Sequence, residues 1–200
     1  METVLPMVLE AAAARTVVVL GCGLGRREGS GHFVREIVAK VEKPLLIDAD
    51  GLFPLTGDAL AARSHPTVIT PHPGELARLA GISVTELSAD RIGQARRLAE
   101  SWGVVLVLKG AGTVVAEPSG IVVLQPFADD GLASGGTGDV LSGMIGGLLA
   151  QGVAPFAAAL LGTYLHGRAR EERRDLTGAY FSAADLITGI DPALRALGAG

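Results

Sequence analysis

The order of apolar and polar positions along the chain predicts alternating strands and helices. Short apolar runs rich in β-branched residues or leucine are typical of strands that are buried on both faces of a parallel sheet. Four such runs occupy residues 16–20, 45–47, 67–70 and 104–108. Between the first two, Phe33, Val34, Ile37, Val38 and Val41 recur at helical spacing. Repeated strand–helix units predict a mostly parallel sheet that is covered by helices.

The remaining elements follow from turn and capping signals. Residues 114–116 and 121–124 are predicted to form a hairpin, because Pro118, Ser119 and Gly120 separate two apolar runs. Ser83 and Glu86 have the spacing of a capping box. A further helix is predicted to begin near Glu75. The next follows a Ser88 cap and ends at Gly103, with an inner face of Ile92, Ala95, Leu98, Ala99 and Trp102. The last three are predicted after Gly138 up to Gln151, from Pro155 to about Glu172, and from Ala183.

Glycine makes up 28 of the 200 residues, roughly twice its usual share. The glycines form clusters at residues 21–25, 110–112, 135–138 and 143–147. The first two clusters follow predicted strands, and ligands of parallel sheets bind outside the carboxyl ends of the strands. The first three clusters therefore indicate ligand loops, whereas the cluster at 143–147 predicts close packing of a helix.

Composition excludes several classes of protein. A net charge of −4 argues against a general electrostatic affinity for nucleic acid. A single cysteine excludes an intrachain disulfide and a thiolate zinc cluster. The sequence has no apolar run of about 18 residues and no signal-peptide pattern, so we expect a cytoplasmic protein that does not enter a membrane.

The segment Gly135-Gly136-Thr137-Gly138-Asp139 is the strongest candidate for an anion site. Three glycines and a threonine precede a predicted helix, whose first amides have no acceptor within the helix. Such a helix start binds phosphate readily. Asp139 would lie in the first turn, where it would either cap the helix or act as a base at the site.

Lys109-Gly110-Ala111-Gly112-Thr113 follows a predicted buried strand. Lysine at a strand end can reach a phosphate, and the glycines allow backbone to approach it. The alternative is a tight turn in which Lys109 is solvated. The spacing differs from that of a Walker A loop.

Other polar segments have weaker signals. Cys22 has no partner nearby in sequence and is interpreted as a packing residue. Of Asp48 and Asp50, one is predicted to cap the following helix, and either is a candidate ligand or Mg²⁺ contact. In TPHPGE, His72 is either a hydrogen-bonded loop residue or a ligand contact, and Glu75 is either a helix-start charge or a holder of hydrated Mg²⁺. Structural roles are predicted for two histidines, and a solvated helix end for a mixture of charges, namely His65, His166, Arg168, Arg170, Glu171, Glu172, Arg173 and Arg174.

Taken together and in order, these segments resemble the NAD(P)H-hydrate dehydratase family. The matching motifs are GCGLG, LIDADGL, TPHPGE, LKGAGT, ASGGTGDVLSGMIGGLLAQG and AAALLGTYLHGRA. The resemblance runs from about Val17 to Ile187. It implies a ribokinase-like three-layer α/β/α fold over residues 1–200 as one domain, with a mostly parallel central sheet.

The resemblance also implies an activity. The family uses ADP or ATP with Mg²⁺ to dehydrate the S-form of hydrated NADH and NADPH (NADHX and NADPHX). The ring hydroxyl is phosphorylated and phosphate is then eliminated. Bacterial members of the family tend to form homotetramers, so a homo-oligomer is expected.

Residue roles follow by the same resemblance. Asp139 resembles the base at the hydroxyl of the hydrate, while Gly23, Gly25 and His72 resemble hydrate contacts. Glu75 resembles the residue that holds Mg²⁺ through water in related kinases. The adenine-nucleotide contacts correspond to Lys109, Gly110, Ala111, Gly112, Thr113 and Gly138.

The sequence departs from the family pattern in three places. Cys22 stands where proline is usual, and Gly51-Leu52-Phe53 replaces Ala-Leu-Asn. The family's N-terminal strand–helix region, with a further substrate loop, has no counterpart before Glu2, so we expect an N-terminally truncated fold. Two alternatives stay open: a ribokinase-like kinase of a small alcohol such as a vitamin precursor, and a non-catalytic nucleotide-binding subunit.

Overall fold

A computed structural model describes residues 4–174 and 181–198. These residues form three layers, in which one six-stranded sheet lies between two layers of helices. The strands are β1 (Val18–Leu20), β2 (Leu45–Ile47), β3 (Thr67–Ile69), β4 (Val105–Leu108), β5 (Val114–Ala116) and β6 (Val122–Leu124). They lie side by side in chain order. β1 to β4 are parallel, and β5 and β6 add an antiparallel hairpin. The predicted α/β class, mostly parallel sheet and hairpin are confirmed.

The helices cover both faces of the sheet. They are α1 (Leu5–Ala13), α2 (Ser30–Lys40), α3 (Gly57–Ala61), α4 (Pro73–Ala80), α5 (Val84–Ala89), α6 (Arg91–Trp102), α7 (Thr137–Ala150), α8 (Pro155–Glu171) and α9 (Ala183–Ala196). Two short 3₁₀ helices span Ala49–Gly51 and Asp130–Ala133. Among the described residues, no helix is long and apolar enough to span a membrane.

Alternate residues of the buried strands enter two separate cores, as the period of two requires. Leu45 and Ile47 pack with the residues of α1 to α6, whereas Leu46 packs on the opposite face with α7 and α8. α9 then packs on α7 and α8 through a third cluster that contains Leu186 and Ala193. The sheet is therefore covered on both faces, and its strand ends remain available for a site.

Local capping places two helix starts differently from the sequence prediction. α4 begins at Pro73 because His72, not a later residue, caps it. α6 is capped by Asp90, whose Oδ1 accepts a hydrogen bond from the Gly93 amide, so the predicted Ser88 cap is wrong. Ile92 is 45% exposed and does not belong to the predicted inner face. Ser83 does cap α5, with its hydroxyl accepting from the Glu86 amide.

The glycine cluster in α7 is only partly explained by packing. A Cβ at Gly146 would lie 2.6 Å from Cγ2 of Val19, so this glycine is needed where α7 meets β1. A Cβ at Gly143 or Gly147 would meet no described atom within 4 Å. The packing prediction is therefore right at one position of the cluster and wrong at these two.

Candidate functional site

The carboxyl ends of β1, β2 and β4 bring together polar groups that are far apart in sequence. Gly21 follows β1 with a φ of +123°, and a Cβ there would lie 1.9 Å from the carbonyl oxygen of Asp48. Only glycine permits this approach of the two strand ends. Asp48 follows β2 and Lys109 follows β4, so the loop predictions converge on one edge of the sheet.

Asp48 is a buried carboxylate with three hydrogen-bond donors. It is 1% exposed, and its Oδ1 accepts from the Ala49 amide at 2.8 Å and from Nζ of Lys109 at 2.7 Å. Its Oδ2 accepts from the hydroxyl of Ser142 at 2.8 Å. The predicted capping role is therefore found at Asp48, which caps the 3₁₀ turn, but the residue also joins β2, β4 and α7.

The predicted anion loop forms the start of α7. Gly136 is the N-cap in the left-handed conformation, and no side chain caps this helix. The first helical bond is made by the amide of Val140 to the carbonyl of Gly136, so the amides of Gly138 and Asp139 precede the helical ladder. These amides and the positive end of the helix dipole give a site that favours an anion.

A cavity of about 500 Å³ lies beside this helix start. It is bordered by the loop after β4, residues 125–134, the first turn of α7 and the middle of α8. Six of the predicted site residues line it, namely His72, Lys109, Gly110, Ala111, Thr113 and Gly138. Gly112, Gly23, Gly25, Glu75 and Asp139 are not among the lining residues.

The start of α6 fixes the loop after β4, a contact that the sequence did not indicate. Arg91, at the start of α6, donates from Nη1 to the carbonyl of Ala111 at 2.8 Å. Gly110 and Gly112 both have positive φ, at +139° and +63°. The backbone of this loop is thus fixed by one arginine and two glycines, and the ammonium of Lys109 lies 3.6 Å from the Cβ position of Gly138, at the start of α7.

The far wall of the cavity contains a second buried ion pair. Asp129 Oδ1 accepts from Nε of Arg170 at 3.0 Å, and its Oδ2 accepts from Nη2 of Arg174 at 2.7 Å. Burial alone would raise the pKa of Asp129, but hydrogen bonds from Arg174, the Gly131 amide and Arg170 outweigh burial and lower this pKa. Arg170 is only 5% exposed, so the predicted solvated helix end is wrong at this residue.

Arg170 is buried because its guanidinium, on α8, also stacks on a ring that precedes α9. Its Cζ lies 4.2 Å from the ring centre of Phe181. Arg168, by contrast, pairs with Glu171 and Glu172 at the surface, as the mixture of charges predicted. The sequence offered no periodic signal that separates these two arginines.

His166 has the predicted structural role, but it also lines the cavity. Its Nε2 lies 2.9 Å from the carbonyl oxygen of Thr137. A carbonyl oxygen can only accept, so Nε2 carries the hydrogen and donates the hydrogen bond. Burial lowers the pKa of this imidazole, with a smaller opposing effect from the Thr137 carbonyl. A neutral His166 therefore fixes the first residue of α7.

Asp139 lies on the other side of the α7 start, in a more open region. Its carboxylate, the thiol of Cys22 and the carboxylate of Asp48 have atoms within 4.8 Å of one another. Burial, together with the two carboxylates, raises the pKa of the Cys22 thiol to about 11. This thiol remains protonated at neutral pH, which agrees with its interpretation as a packing residue.

The glycine loop after β1 borders the same open region. Gly23 and Gly25 have φ of +66° and +75°, and a Cβ at either would meet no described atom within 4 Å. The loop is held by Asp50, which accepts from the Gly25 amide at 3.0 Å and pairs with Arg26 at 2.7 Å. The guanidinium of Arg26 lies 4.3 Å from the ring centre of Phe53, so Phe53 packs beside the loop.

His72 and Glu75 form a capping box at the start of α4. Nδ1 of His72 accepts from the Gly74 amide at 3.1 Å, and Oε2 of Glu75 accepts from the His72 amide at 2.8 Å. The sequence offered two local interpretations, a hydrogen-bonded loop histidine and a charge at a helix start, and both are found. Oε1 of Glu75 keeps acceptor capacity, since its nearest ion-pair partner is Nε2 of His72 at 3.5 Å.

The carboxylates near the site fit hydrated Mg²⁺ only in part. Asp48 is already occupied by Lys109 and Ser142, and a thiol such as Cys22 is a poor ligand for a hard cation. Glu75, through Oε1, and the exposed Asp139 each keep acceptor capacity for the water shell of such an ion.

Comparisons with known proteins agree on one family. A family model described as NAD(P)H-hydrate dehydratase matches residues 2–192. The bifunctional NAD(P)H-hydrate repair enzyme Nnr of Moorella thermoacetica is 42% identical over 192 residues, which cover 94% of this chain and 36% of that protein. The ADP-dependent (S)-NAD(P)H-hydrate dehydratase of Neisseria meningitidis serogroup B is 42% identical over 183 residues, which cover 88% of this chain and 61% of that protein.

Solved structures give the same result for the fold. The ADP/ATP-dependent NAD(P)H-hydrate dehydratase of Bacillus subtilis, co-crystallised with ATP and Mg²⁺, matches with a TM-score of 0.78 and 34% identity, over 94% of this chain and 69% of that one. A ribokinase-like superfamily protein of Enterococcus faecalis has a TM-score of 0.80 at 22% identity, over 94% and 66% of the two chains. The fold is therefore ribokinase-like, and the chain spans less than two thirds of the length of the curated relatives named above.

Proposed function

The chain belongs to the NAD(P)H-hydrate dehydratase family, and from that premise we propose that it dehydrates the S-form of NADHX and NADPHX in an ADP- or ATP-dependent reaction. The products are NADH and NADPH, so the reaction repairs damaged nicotinamide cofactors. The relative from Neisseria meningitidis is named for the ADP-dependent form of this activity. The Bacillus subtilis relative, whose structure was obtained with ATP and Mg²⁺, is named for both nucleotides.

One observation carries the proposal: the start of α7 lies between a cavity and an exposed carboxylate. Lys109 and Gly138 line the cavity, and Asp139, the next residue along α7, lies in the open region beside Cys22. A nucleotide in the cavity would place its terminal phosphate at the Gly138 and Asp139 amides. A hydroxyl in the open region would then lie between that phosphate and the carboxylate of Asp139.

Two steps follow from this arrangement. Asp139 removes the proton of the ring hydroxyl. At the same time the hydroxyl oxygen forms a bond to the terminal phosphorus, and the bond from that phosphorus to the nucleotide breaks. ADP then leaves as AMP, or ATP as ADP. In the second step the C–O bond breaks, phosphate leaves, and loss of a ring proton restores the double bond. Phosphate is a far better leaving group than hydroxide, which explains the need for a nucleotide.

The amides at the α7 start and the ammonium of Lys109 stabilise the charge of the transferred group. They are fixed before the reaction, so no reorganisation is needed when charge develops. Mg²⁺, bound with the nucleotide, would neutralise phosphate charge. Glu75 and Asp139 are the residues that would hold its water shell, and His72 would contact the hydrate from the cavity rim.

The test is recovery of reduced-nicotinamide absorbance from S-form NADH hydrate with Mg²⁺ and ADP or ATP. Asp139→Asn keeps the shape of the side chain but removes the base, so we expect kcat to fall about 10³-fold. Asp58→Asn is the matched control, because Asp58 is also an exposed aspartate in the first turn of a helix. Wild-type turnover by Asp139→Asn would contradict the proposed role, and absence of recovery by the wild-type chain would contradict the proposed function.

A further inference from the structure

Asp48 is the most completely buried charged group near the site, and the reaction described above gives it no step. A buried carboxylate is stable only when it is paired and hydrogen-bonded. Asp48 meets this requirement through groups from three elements: the Ala49 amide after β2, Lys109 after β4 and Ser142 on α7. Its position is therefore determined by tertiary packing on all sides.

Lys109 depends on this carboxylate for its position. Among the described residues, Asp48 is the hydrogen-bond acceptor of its ammonium, and the side chain of Lys109 is 22% exposed. An ammonium has three donors, so two remain for a ligand. A Cβ at Gly138 would lie 3.6 Å from this ammonium and 3.8 Å from Oδ2 of Asp48, which places the ion pair directly below the first turn of α7.

Ser142 connects the same carboxylate to the helix that bears Asp139. Residues three apart lie on the same side of a helix, so Ser142 is one turn below Asp139. Ser142 is fully buried, and its hydroxyl donates to Oδ2 of Asp48 at 2.8 Å. One carboxylate thus contacts both the lysine and the helix that together surround the anion site.

We propose that Asp48 is a positioning residue: it holds the ammonium of Lys109 against the start of α7 so that the terminal phosphate of an adenine nucleotide meets a preformed set of donors. This inference rests on the proposed use of a nucleotide and adds a residue to that site. The physical benefit is pre-organisation, because a long lysine side chain that is already fixed loses little freedom when phosphate binds. Ser142 aligns α7 with the same carboxylate.

The first experiment is a double-mutant cycle on ADP binding, measured by calorimetry. Asp48→Asn keeps the size of the side chain and removes its charge, so the ammonium is no longer held, and we expect ADP affinity to fall about 30-fold. In a Lys109→Met background the same change should cause no further loss of ADP affinity, because Asp48 acts through Lys109. An equal loss in both backgrounds, or no loss in either, would overturn the inference.

The second readout is the thiol of Cys22, the single cysteine of the chain. The groups that face this thiol are Asp48, Asp139 and Ser142. We expect Asp48→Asn to lower the pKa of Cys22 from about 11, as measured by the pH dependence of alkylation. Ser142→Ala leaves both carboxylates in place and removes a hydrogen bond that lowers this pKa, so it should shift the pKa upwards, opposite to Asp48→Asn. An unchanged pKa in Asp48→Asn would show that the carboxylate does not lie where the inference needs it.

The two proposals fail in different ways. ADP binding that is unaffected by Asp48→Asn, in a chain that dehydrates the hydrate, overturns the inference and leaves the function. ADP binding that depends on Asp48, in a chain that does not convert the hydrate, supports the inference and overturns the function. Urea unfolding of each variant shows whether an affinity change reflects a folded protein.

Discussion

The two sides of the α7 start differ in how they are built. The cavity side is bordered by loops from both halves of the chain and contains an ion pair between Asp129 and the buried Arg170, which are 41 residues apart. The open side consists of a glycine loop in which neither Gly23 nor Gly25 has a described atom near its Cβ position. The two regions meet at Lys109 and Asp48.

The cavity side is therefore the more rigid of the two. In the proposed reaction a nucleotide phosphate must be oriented closely for transfer, and the cavity side has fixed donors and paired charges that suit this task. On the open side, Asp50 holds the loop through one amide and Arg26, so its backbone is available to a ligand. Substitutions on the two sides should therefore have different consequences for binding and for stability.

Lys109→Met, at the border, should give the largest effect because it acts on both binding and stability. We expect ADP affinity to fall about 100-fold, since a charge-assisted contact to phosphate is lost. We also expect a loss of about 3 kcal/mol in the free energy of unfolding, because Asp48 is left as an unpaired buried charge. Calorimetry and urea unfolding measure the two terms. If affinity falls without a loss of stability, the ion pair with Asp48 does not form in solution.

Arg170→Met should act on the cavity side, mainly through stability. Removing the guanidinium takes one of two hydrogen-bonded cations from Asp129, which keeps Arg174, and also removes the stacking on Phe181, at a cost of about 2 kcal/mol. Arg168→Met is the matched control, since Arg168 pairs at the surface with Glu171 and Glu172 and should change stability by less than about 1 kcal/mol. Thermal and urea unfolding of the two variants decide the point. Equal losses would mean that burial of Arg170 has no energetic consequence.

Gly23→Ala should have the smallest effect on stability and should affect only the open side. An alanine at a φ of +66° costs about 1 kcal/mol, but its methyl group meets no described atom within 4 Å. We expect KM for the hydrate to rise about 10-fold while ADP affinity stays unchanged.

Gly152→Ala is the control for backbone strain, because Gly152 has a φ of +85° and equally open surroundings after the end of α7. It should have the same stability cost without a change in KM. A change in ADP affinity for Gly23→Ala would show that the two sides are not separate.

Much of the architecture could be predicted from the sequence because its signals are local. The apolar runs at 45–47 and 104–108 identified central strands almost to the residue, and Gly103 ended α6 as predicted. The helix starts at His72 and Asp90 were missed because several polar residues nearby have similar capping ability, and packing selects among them.

The candidate site was predictable in its motifs and not in its partnerships. Lys109 and Gly138 were singled out from loop composition, and both line the cavity. Asp129 and Arg170 were not connected, since a charged residue near a helix end looks the same in sequence whether it is solvated or buried. Arg91 was missed for the same reason, although it holds the loop after β4.

Local signals in the sequence specify which segments become strand ends and helix starts, because apolar periodicity and glycine act over a few residues. The pairing of Asp48 with Lys109, which is 61 residues away, and its contact with Ser142, which is 94 residues away, depend instead on the folded chain. The physical reason is that a buried charge is compensated by whatever group the packed sheet and helices bring within hydrogen-bond distance. That choice is made by the assembled fold and not by neighbours along the chain.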